Sequence, residues 1–445
     1  MGRGFKSPRG HKKETTDVRL SLFRGPIFPC CFAAASPRGE EEVPIMNDLW
    51  ERFRIFIHSN FSKMKLNRIL LTLTAVTLLV PARAQESRFK TFIDRFAGPS
   101  PELDPAAIYQ PEPRFHLALT GDLRQAAMSQ EKAFKVGVGY FDGYDVKFEE
   151  IPGQISSSIQ SDVDKAVGIQ AGYGNLSLSY SRKLAGEGND DYFSFDFMAA
   201  GYGVQAQYFN LSRPMAYRFV KGEEGHWAYE NEEGTTSKPG YLRTFIVDAF
   251  YAFNRRTFAY SAAYKGNLFQ RRSAGSWMFG TKLILGEYGM DPSEEILNWS
   301  GDQARQTSTQ VSFGGGYSYN LVPLHRQPTG KRDKGLRNLT VNATFLPMVI
   351  LFNQFTSRAY ELAEGGEYKE RHKSVMNGKL LVNYVARVGV GWSYDLFTAN
   401  LSAGYDSFAY KGLSEMPIEG LIADNVAVSG RFYRWTTTLR LGLRF

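Results

Sequence analysis

The last sixteen residues of the chain, 430–445, read GRFYRWTTTLRLGLRF. Side chains at i and i+2 of a β-strand lie on the same face, so alternate positions form two rows. One row is apolar and aromatic: Tyr433, Trp435, Leu439, Leu441, Leu443 and Phe445. The other row is polar: Arg434, Thr436, Thr438, Arg440, Gly442 and Arg444. The stretch is therefore predicted to be a strand with one apolar and one polar face.

The same period of two recurs along the chain after residue 84, for example in 176–181, 193–198 and 244–253. No helical stripe of three turns is comparable there, so the predicted fold class is all-β. Fourteen candidate strands can be marked. They lie near 114–126, 133–148, 165–173, 175–183, 191–200, 203–213, 241–253, 256–268, 276–288, 307–321, 336–358, 375–394, 396–410 and 430–445.

One-faced strands suit either a soluble sandwich or a transmembrane barrel. Three features favour the barrel. The strands are about 9–15 residues long, which suits a tilted crossing of the bilayer. The connections alternate in length, and aromatic side chains lie near strand ends. Connections such as 174–175 are short, whereas 213–240, 289–306, 359–374 and 411–429 are predicted long loops. The aromatic residues are Tyr405, Phe408, Tyr410, Tyr433 and Trp435. We predict a transmembrane antiparallel barrel of about 12 strands. Any number from 10 to 14 strands is compatible with the sequence, because the alternation of short and long connections fails between residues 213 and 320.

Charge is distributed unevenly along the sequence. The chain has 53 Lys and Arg against 45 Asp and Glu, of which residues 1–84 hold 14 and 7. The remainder is nearly neutral, so nucleic acid is not an expected partner. Aromatic residues make up 14% of the chain, which excludes disorder, and only 2 residues are Cys, which excludes a disulfide scaffold.

A secretory signal is predicted at residues 64–84. Met64 opens a short basic region, residues 69–80 are uncharged and apolar, and a small-residue cleavage site follows with Ala84 before Gln85. Residues 1–63, which contain Cys30 and Cys31, show no periodicity. We interpret them as a disordered extension upstream of the true start at Met64. The expected mature protein has a periplasmic segment over 85–113 and a barrel over 114–445.

Several stretches in this order resemble a Bacteroidota outer-membrane barrel family known as domain of unknown function 4421. The stretches that carry the resemblance are 92–95 (FIDR), 192–196 (YFSFD), 202–203 (YG), 271–276 (RRSAGS), 314–319 (GGGYSY) and 406–408 (DSF). The resemblance implies a barrel fold and an outer-membrane location, and it implies no activity. The ending with Gly442 and the terminal Phe445 also resembles the signal recognised by the barrel-assembly machinery.

Residues with catalytic chemistry are scattered. His116, His226, His325 and His372 lack the spacing of a zinc site, and His372 with Ser374 lacks an evident orienting carboxylate. The glycine patterns at 137–139 and 314–316 are not followed by helices, so they do not predict nucleotide binding. Acidic runs at 223–224, 232–233 and 364–367 are expected to be solvated. No catalytic residue, cofactor or metal ligand is therefore predicted, and the protein is not expected to be an enzyme.

A polar set is predicted to face the barrel interior: Asp196, Asp248, Arg434, Arg440 and Arg444, with Arg271 and Arg272 at a strand end. Buried charges need partners or water, so this set forms either a salt-bridge plug or a narrow wet path. The predicted function is a porin-like channel or binding conduit for a small solute, embedded in the lipid of a Gram-negative outer membrane. A lipid-modifying barrel enzyme and a structural or surface-recognition barrel are the alternatives.

Overall fold

The computed structural model describes residues 103–112, 115–142, 144–184, 191–226, 229–294, 296–299, 303–329, 334–363, 366–378, 381–418 and 421–445. The predicted signal, its cleavage site at Ala84 and Gln85, and the extension 1–63 lie outside these residues. In the part of the chain so described, no helix has both the length and the apolar character needed to cross a bilayer.

The described chain consists mainly of antiparallel strands, joined in two sheets. In order, the strands are β1 Ile108–Tyr109, β2 Phe115–Asp142, β3 Asp145–Gln160, β4 Asp164–Tyr173, β5 Leu176–Lys183, β6 Asp191–Met198, β7 Tyr202–Arg213, β8 Ala216–Lys221, β9 Glu230–Thr235, β10 Gly240–Ala252, β11 Phe269–Gln270, β12 Ala274–Gly289, β13 Arg305–Arg326, β14 Arg337–Leu362, β15 Tyr368–Asn377, β16 Val382–Tyr394, β17 Phe397–Ile418 and β18 Leu421–Arg444. The helical elements are a 3-10 turn, Tyr260–Ala263, and a short α-helix, Ile296–Trp299.

Twelve strands close into a ring, which confirms the predicted barrel and its strand number. The ring order is β18, β17, β16, β14, β13, β12, β10, β7, β6, β5, β4 and β2, and β2 pairs again with β18. The closing pair runs from Arg444 opposite His116 to Ala427 opposite Ala133. Closure matters physically because it leaves no open edge of unpaired backbone groups in the ring.

Both Phe115 and Phe445 lie at one end of the ring, which we call the terminal end; the opposite end is the distal end. Short turns at 174–175 and 395–396 lie at the terminal end, where Gly174 and Asp395 have positive φ values of 56° and 52°. At the distal end, the hairpin of β8 and β9 leans sideways so that β8 pairs with β3.

Three sequence predictions about segments are wrong. Segments 114–126 and 133–148 are not two strands, because β2 runs without a break from Phe115 to Asp142. Segment 256–268 is not a strand but part of an insertion between β10 and β12. The predicted long loops 213–240, 359–374 and 411–429 are largely strand, since β8, β9, β14, β15, β17 and β18 extend into them.

The inward-facing row of several strands changes from polar to apolar residues partway along the barrel axis. Near the terminal end of β18, Leu439, Leu441 and Leu443 are exposed on the outer face, while Arg434 is buried in the interior. Toward the distal end, Phe432 is buried in the interior instead. Neighbouring strands change at the same level: β2 passes from buried Asp122 and Arg124 to buried Ala126 and Met128.

We call the two levels the terminal half and the distal half of the barrel. The terminal half has an apolar outer wall and a polar interior, whereas the interior of the distal half is mainly an apolar core, with a few buried polar side chains such as Gln130 and Lys132. This corrects the prediction that Phe408 and Tyr410 belong to an outer aromatic girdle. Their side chains are 3% and 1% exposed and face inward, because they lie in the same row as the buried Asp406. Strand β17 also continues to Ile418 and does not end near them.

Candidate functional site

The barrel interior collects most of the charged side chains singled out from the sequence. Four of them are buried: Asp196, Asp248, Arg434 and Arg444. The fifth, Arg440, is partly buried and lies in the inward row of β18 next to Gly442. They do not form one cluster. Asp248 and Arg434 belong to a layer near the middle of the barrel, whereas Asp196, Arg440 and Arg444 lie nearer the terminal end.

The middle layer is a network of ion pairs, two of them between neighbouring strands and two between strands that are not neighbours in the ring. Lys282 on β12 lies 3.2 Å from Asp248 and 2.5 Å from Asp406. Arg387 contacts Asp248 at 2.9 Å, and Arg434 contacts Asp406 at 2.9 Å. Because every buried charge in this layer has an opposite partner, the interior can hold it without the full cost of an isolated ion. The network joins the neighbouring strands β10 and β12 to the group β16, β17 and β18 across the interior.

An insertion between β10 and β12, residues 253–273, enters the terminal end of the interior; we call it the inserted segment. Its side chains Phe258, Tyr260 and Tyr264 are buried with Met278, Leu346 and Val385 of the wall. Polar contacts fix its backbone and rings: Asn320 Nδ2 donates to the Ala259 carbonyl at 2.7 Å, and Tyr264 donates its hydroxyl to Asn342 at 2.7 Å. The inserted segment therefore fills the terminal half of the barrel.

An ion pair between Lys265 and Asp196 fastens the inserted segment to β6. Asp196 is fully buried and also accepts a hydrogen bond of 2.6 Å from Gln205. The Lys265 ammonium donates further to the Ser177 hydroxyl at 3.0 Å. Arg440 lies close by and donates to the Tyr264 carbonyl at 2.9 Å. We call the Lys265–Asp196 pair the latch.

Residues before the barrel close the terminal end further. Strand β1 pairs with β11 of the inserted segment, and Ala107 and Ile108 are buried against it. The Arg271 amide donates to the Ala107 carbonyl at 2.7 Å, and Arg272 lies 3.4 Å from Asp104. The two arginines therefore hold residues 103–112 against the inserted segment.

The distal half is closed by apolar side chains from seven of the twelve ring strands, together with residues of β3, β8 and β15. Phe408 stacks on Phe432 with 4.5 Å between ring centroids, and Phe355 stacks on Tyr410 at 4.6 Å. The connection between β12 and β13 folds onto this core with the side chains of Met290, Ile296, Leu297 and Ala304. With this core on one side and the inserted segment on the other, the described interior is packed along its axis.

Hydrogen bonds hold the β12–β13 connection in place at the distal end. Glu294 is buried and accepts from the Ser237 amide at 2.9 Å, the Ser237 hydroxyl at 2.8 Å and the Lys238 amide at 2.7 Å. Hydrogen bonds from the Ser293 side chain and amide lower the pKa of Asp291 to about 2. Asp291 also lies 3.0 Å from Lys238, so both acidic residues clamp the same neighbouring turn.

Other residues considered in the sequence do not meet at one place. His372 and Ser374 lie on one face of β15, opposite Ala359 and Ser357 of β14. His226 is 3.5 Å from Glu149 near the distal end. No group of three or more His, Cys, Asp and Glu residues is arranged to hold a metal ion in the part of the chain described.

The triple glycine at 314–316 lies in the middle of β13, as a strand and not as a phosphate-binding loop. A Cβ at Gly316 would lie 2.0 Å from the Phe345 carbonyl oxygen, and one at Gly314 would lie 2.1 Å from that of Pro347. Glycine is therefore required because the neighbouring backbone approaches closely.

Sequence reasoning missed the partners that complete the interior: Lys265, Lys282, Arg387 and Asp406. The failed alternation of connections between 213 and 320 was the signal for the inserted segment. For the other three residues, a charged side chain in the inward row of a strand was the available signal, since such a row needs opposite charges somewhere in the ring.

Taken together, a closed ring of twelve antiparallel strands, an apolar outer wall over the terminal half and a filled polar interior define a closed β-barrel protein. The sequence profile of the family described as "Domain of unknown function (DUF4421)" matches residues 138–422, and the chain belongs to this family. No curated protein matches the chain.

Proposed function

We propose that the protein is an integral outer-membrane β-barrel that serves as a binding conduit for a small solute and is closed along its axis in the conformation described. The proposal has two parts, the membrane location and the closed conduit. The first part is carried by the outer wall of the terminal half, and the second by the packed interior.

The outer wall has the height of a bilayer. On β18, apolar residues face outward from Tyr433 to Phe445 at alternate positions, interrupted by Thr437. At about 3.4 Å per residue this stretch is about 40 Å long, and a strand tilt of about 45° reduces its height to about 30 Å. That height equals the hydrocarbon thickness of a typical bilayer. Water would solvate such a continuous apolar belt poorly, and lipid would solvate it well.

An outer membrane is the membrane that this architecture fits. Closed β-barrels cross the outer membranes of Gram-negative bacteria. The predicted secretory signal at 64–84 and the terminal aromatic residue Phe445, a candidate signal for the barrel-assembly machinery, support the same location. On this proposal the terminal end faces the periplasm, and the distal half stands outside the membrane.

The packed interior favours a conduit that binds its solute over a freely open pore. Salt bridges occupy the middle layer, the inserted segment occupies the terminal half, and the apolar core occupies the distal half. Passage of a solute requires these groups to move. A structural or surface-recognition barrel is the second candidate, favoured by the distal half, whose β2–β3 hairpin carries exposed Phe141 and Phe148.

The membrane part can be tested with a lipid-accessibility experiment. A spin label at Leu441→Cys should be reached by oxygen dissolved in the bilayer. A spin label at Ala427→Cys, in the same outer row of β18, should be reached instead by a water-soluble nickel complex. Cys30 and Cys31 precede the expected cleavage site, so the processed chain has no other cysteine. Equal access of the nickel complex to both labels, or a protein that stays monodisperse without detergent, would contradict the proposal.

The conduit part can be tested in planar bilayers and liposomes. We expect no steady conductance from the unchanged protein, and slow uptake of a small anion into liposomes that contain it. A large, steady conductance would show an open pore and contradict the closed state. Complete exclusion of small solutes would favour the structural barrel instead.

A further inference from the structure

A pocket opens at the terminal end of the barrel, between the inserted segment and the wall. It is lined by His116 and Arg444 from the closing strands, Lys265 and Asn267 from the inserted segment, Asn175 from a turn and Glu112 at the rim. His116 and Arg444 are directly opposite each other in the β2–β18 ladder. Three different parts of the chain therefore bring basic side chains to one cavity.

Positive charge dominates this pocket. Lys265, Arg440 and Arg444 all act electrostatically on the imidazole of His116. The buried carboxylate of Asp196 pairs with Lys265, and Glu112 at the rim is exposed to solvent. One buried carboxylate therefore faces several cations, in a place with little water to screen them.

Two buried nitrogen atoms in and behind the pocket have no hydrogen-bond partner among the described residues. They are the Nε2 atom of His116 and the Nε atom of Arg440. Buried polar atoms in folded proteins nearly always have partners, so such atoms point to a missing ligand or water. Arg444 is held in place by a hydrogen bond of 2.7 Å to the Asp395 carbonyl and by the Phe269 ring beneath its guanidinium. Its position is thus fixed before any ligand binds.

We propose that this pocket binds a small oxyanion, a phosphate or carboxylate group, through His116, Lys265 and Arg444. The inference rests on the proposed function only in making that anion the solute of the conduit. Arginine offers a planar pair of donors to either group, lysine supplies a point charge, and His116 donates from Nε2 in the matching tautomer or when protonated. An anion here would also offset the excess positive charge around the latch.

The test is a calorimetric titration of the purified full-length barrel in detergent at low salt, with inorganic phosphate and acetate as separate probes. Phosphate binding stronger than acetate binding would assign the site to phosphorylated solutes, and the reverse to carboxylates. We expect His116→Gln and Lys265→Gln each to weaken binding about tenfold, because each removes a charge-assisted or buried hydrogen bond. Binding should also weaken as salt is added.

Lys135→Gln is the matched control. Lys135 is an exposed cation paired with Glu150 on the distal hairpin, and its loss should leave binding unchanged. Lys265→Gln also breaks the latch, so His116→Gln, which leaves the latch intact, separates lost anion contact from a displaced segment. The inference is overturned if neither probe binds at about 10 mM, or if His116→Gln binds like the unchanged protein.

The two proposals fail in different ways. Binding in detergent without any solute uptake in liposomes would overturn the conduit and leave the pocket. Uptake without binding, unaffected by His116→Gln, would overturn the pocket and leave the conduit.

Discussion

Lys282 and Asp406 meet across the barrel interior, with 2.5 Å between the ammonium nitrogen and a carboxylate oxygen. Their strands, β12 and β17, are separated in the ring by β13, β14 and β16. The pair therefore joins parts of the wall that share no backbone hydrogen bonds. Since Asp406 also accepts a hydrogen bond from the Arg434 guanidinium, this one carboxylate balances two buried cations.

Asp406→Asn should lower the free energy of unfolding by about 3 kcal/mol, because it leaves Lys282 and Arg434 with less compensation in the interior. Denaturant titration of the reconstituted barrel, followed by tryptophan fluorescence, measures this. Lys135→Gln removes one partner of an exposed pair and should cost less than about 0.5 kcal/mol. Equal losses for the two variants would mean that the interior network contributes no more than a surface pair.

Breaking the latch should loosen the inserted segment without unfolding the ring. We expect Lys265→Met or Asp196→Asn to speed hydrogen exchange of amides in 258–265, where Tyr264 and Lys265 donate to the Ser261 carbonyl. Each change leaves a buried charge unpaired, at a cost of about 3 kcal/mol. The double variant should be less damaging than the sum of the two, and strict additivity would show that the residues act independently.

Leu439→Arg should destabilise the barrel in lipid by about 2–4 kcal/mol, because Leu439 lies halfway along the apolar outer row of β18. Ala427→Arg changes the same outer row of the same strand in the distal half, where water is the expected solvent, and should be nearly neutral. Reversible unfolding from liposomes gives both values. Similar costs at the two positions would place the lipid boundary elsewhere.

Phe432→Ala should cost about 3–5 kcal/mol, because it removes a fully buried ring from the distal core. Its neighbour Tyr433 faces the other side of the strand and is only partly buried. Tyr433→Ala should therefore cost less in the same denaturant assay. A larger loss at Tyr433 than at Phe432 would contradict the assigned faces at this level of the strand.

Acid should release the clamp at Asp291. Its pKa is lowered in the folded state to about 2, so its stabilising contacts are complete above the ordinary value near 4 and are lost as the pH falls through about 2. The Ser293 amide, which donates to Asp291 at 2.9 Å, should stay protected from exchange at pH 5 and lose protection near pH 2, after correction for intrinsic rates. Asp291→Asn should weaken this protection already at pH 5, and unchanged protection in that variant would remove Asp291 from the clamp.

The alternating rows of β18 were sufficient to predict a one-faced strand, and their recurrence was sufficient to predict a closed barrel of about twelve strands. Local periodicity carries this information because neighbouring positions of a strand point to opposite faces. The exact number of strands could not be derived from the sequence, because segment 256–268 has aromatic residues at strand-like spacing, including Phe258 and Tyr260. Those rings fill the interior of the barrel, and a sequence pattern does not distinguish that packing from a strand.

Residue types and their alternation thus determined the fold class and the row on which each charge of the wall would lie. The tertiary structure decided which charges meet, as with Lys282 and Asp406, since the ring joins residues that are far apart in the chain. It also decided that Phe408 faces the interior while Tyr405 faces outward. The same row of β17 and β18 faces inward in both halves, but its residues are polar in the terminal half and mainly apolar in the distal half, as from Arg434 to Phe432 on β18 and from Asp406 to Phe408 on β17.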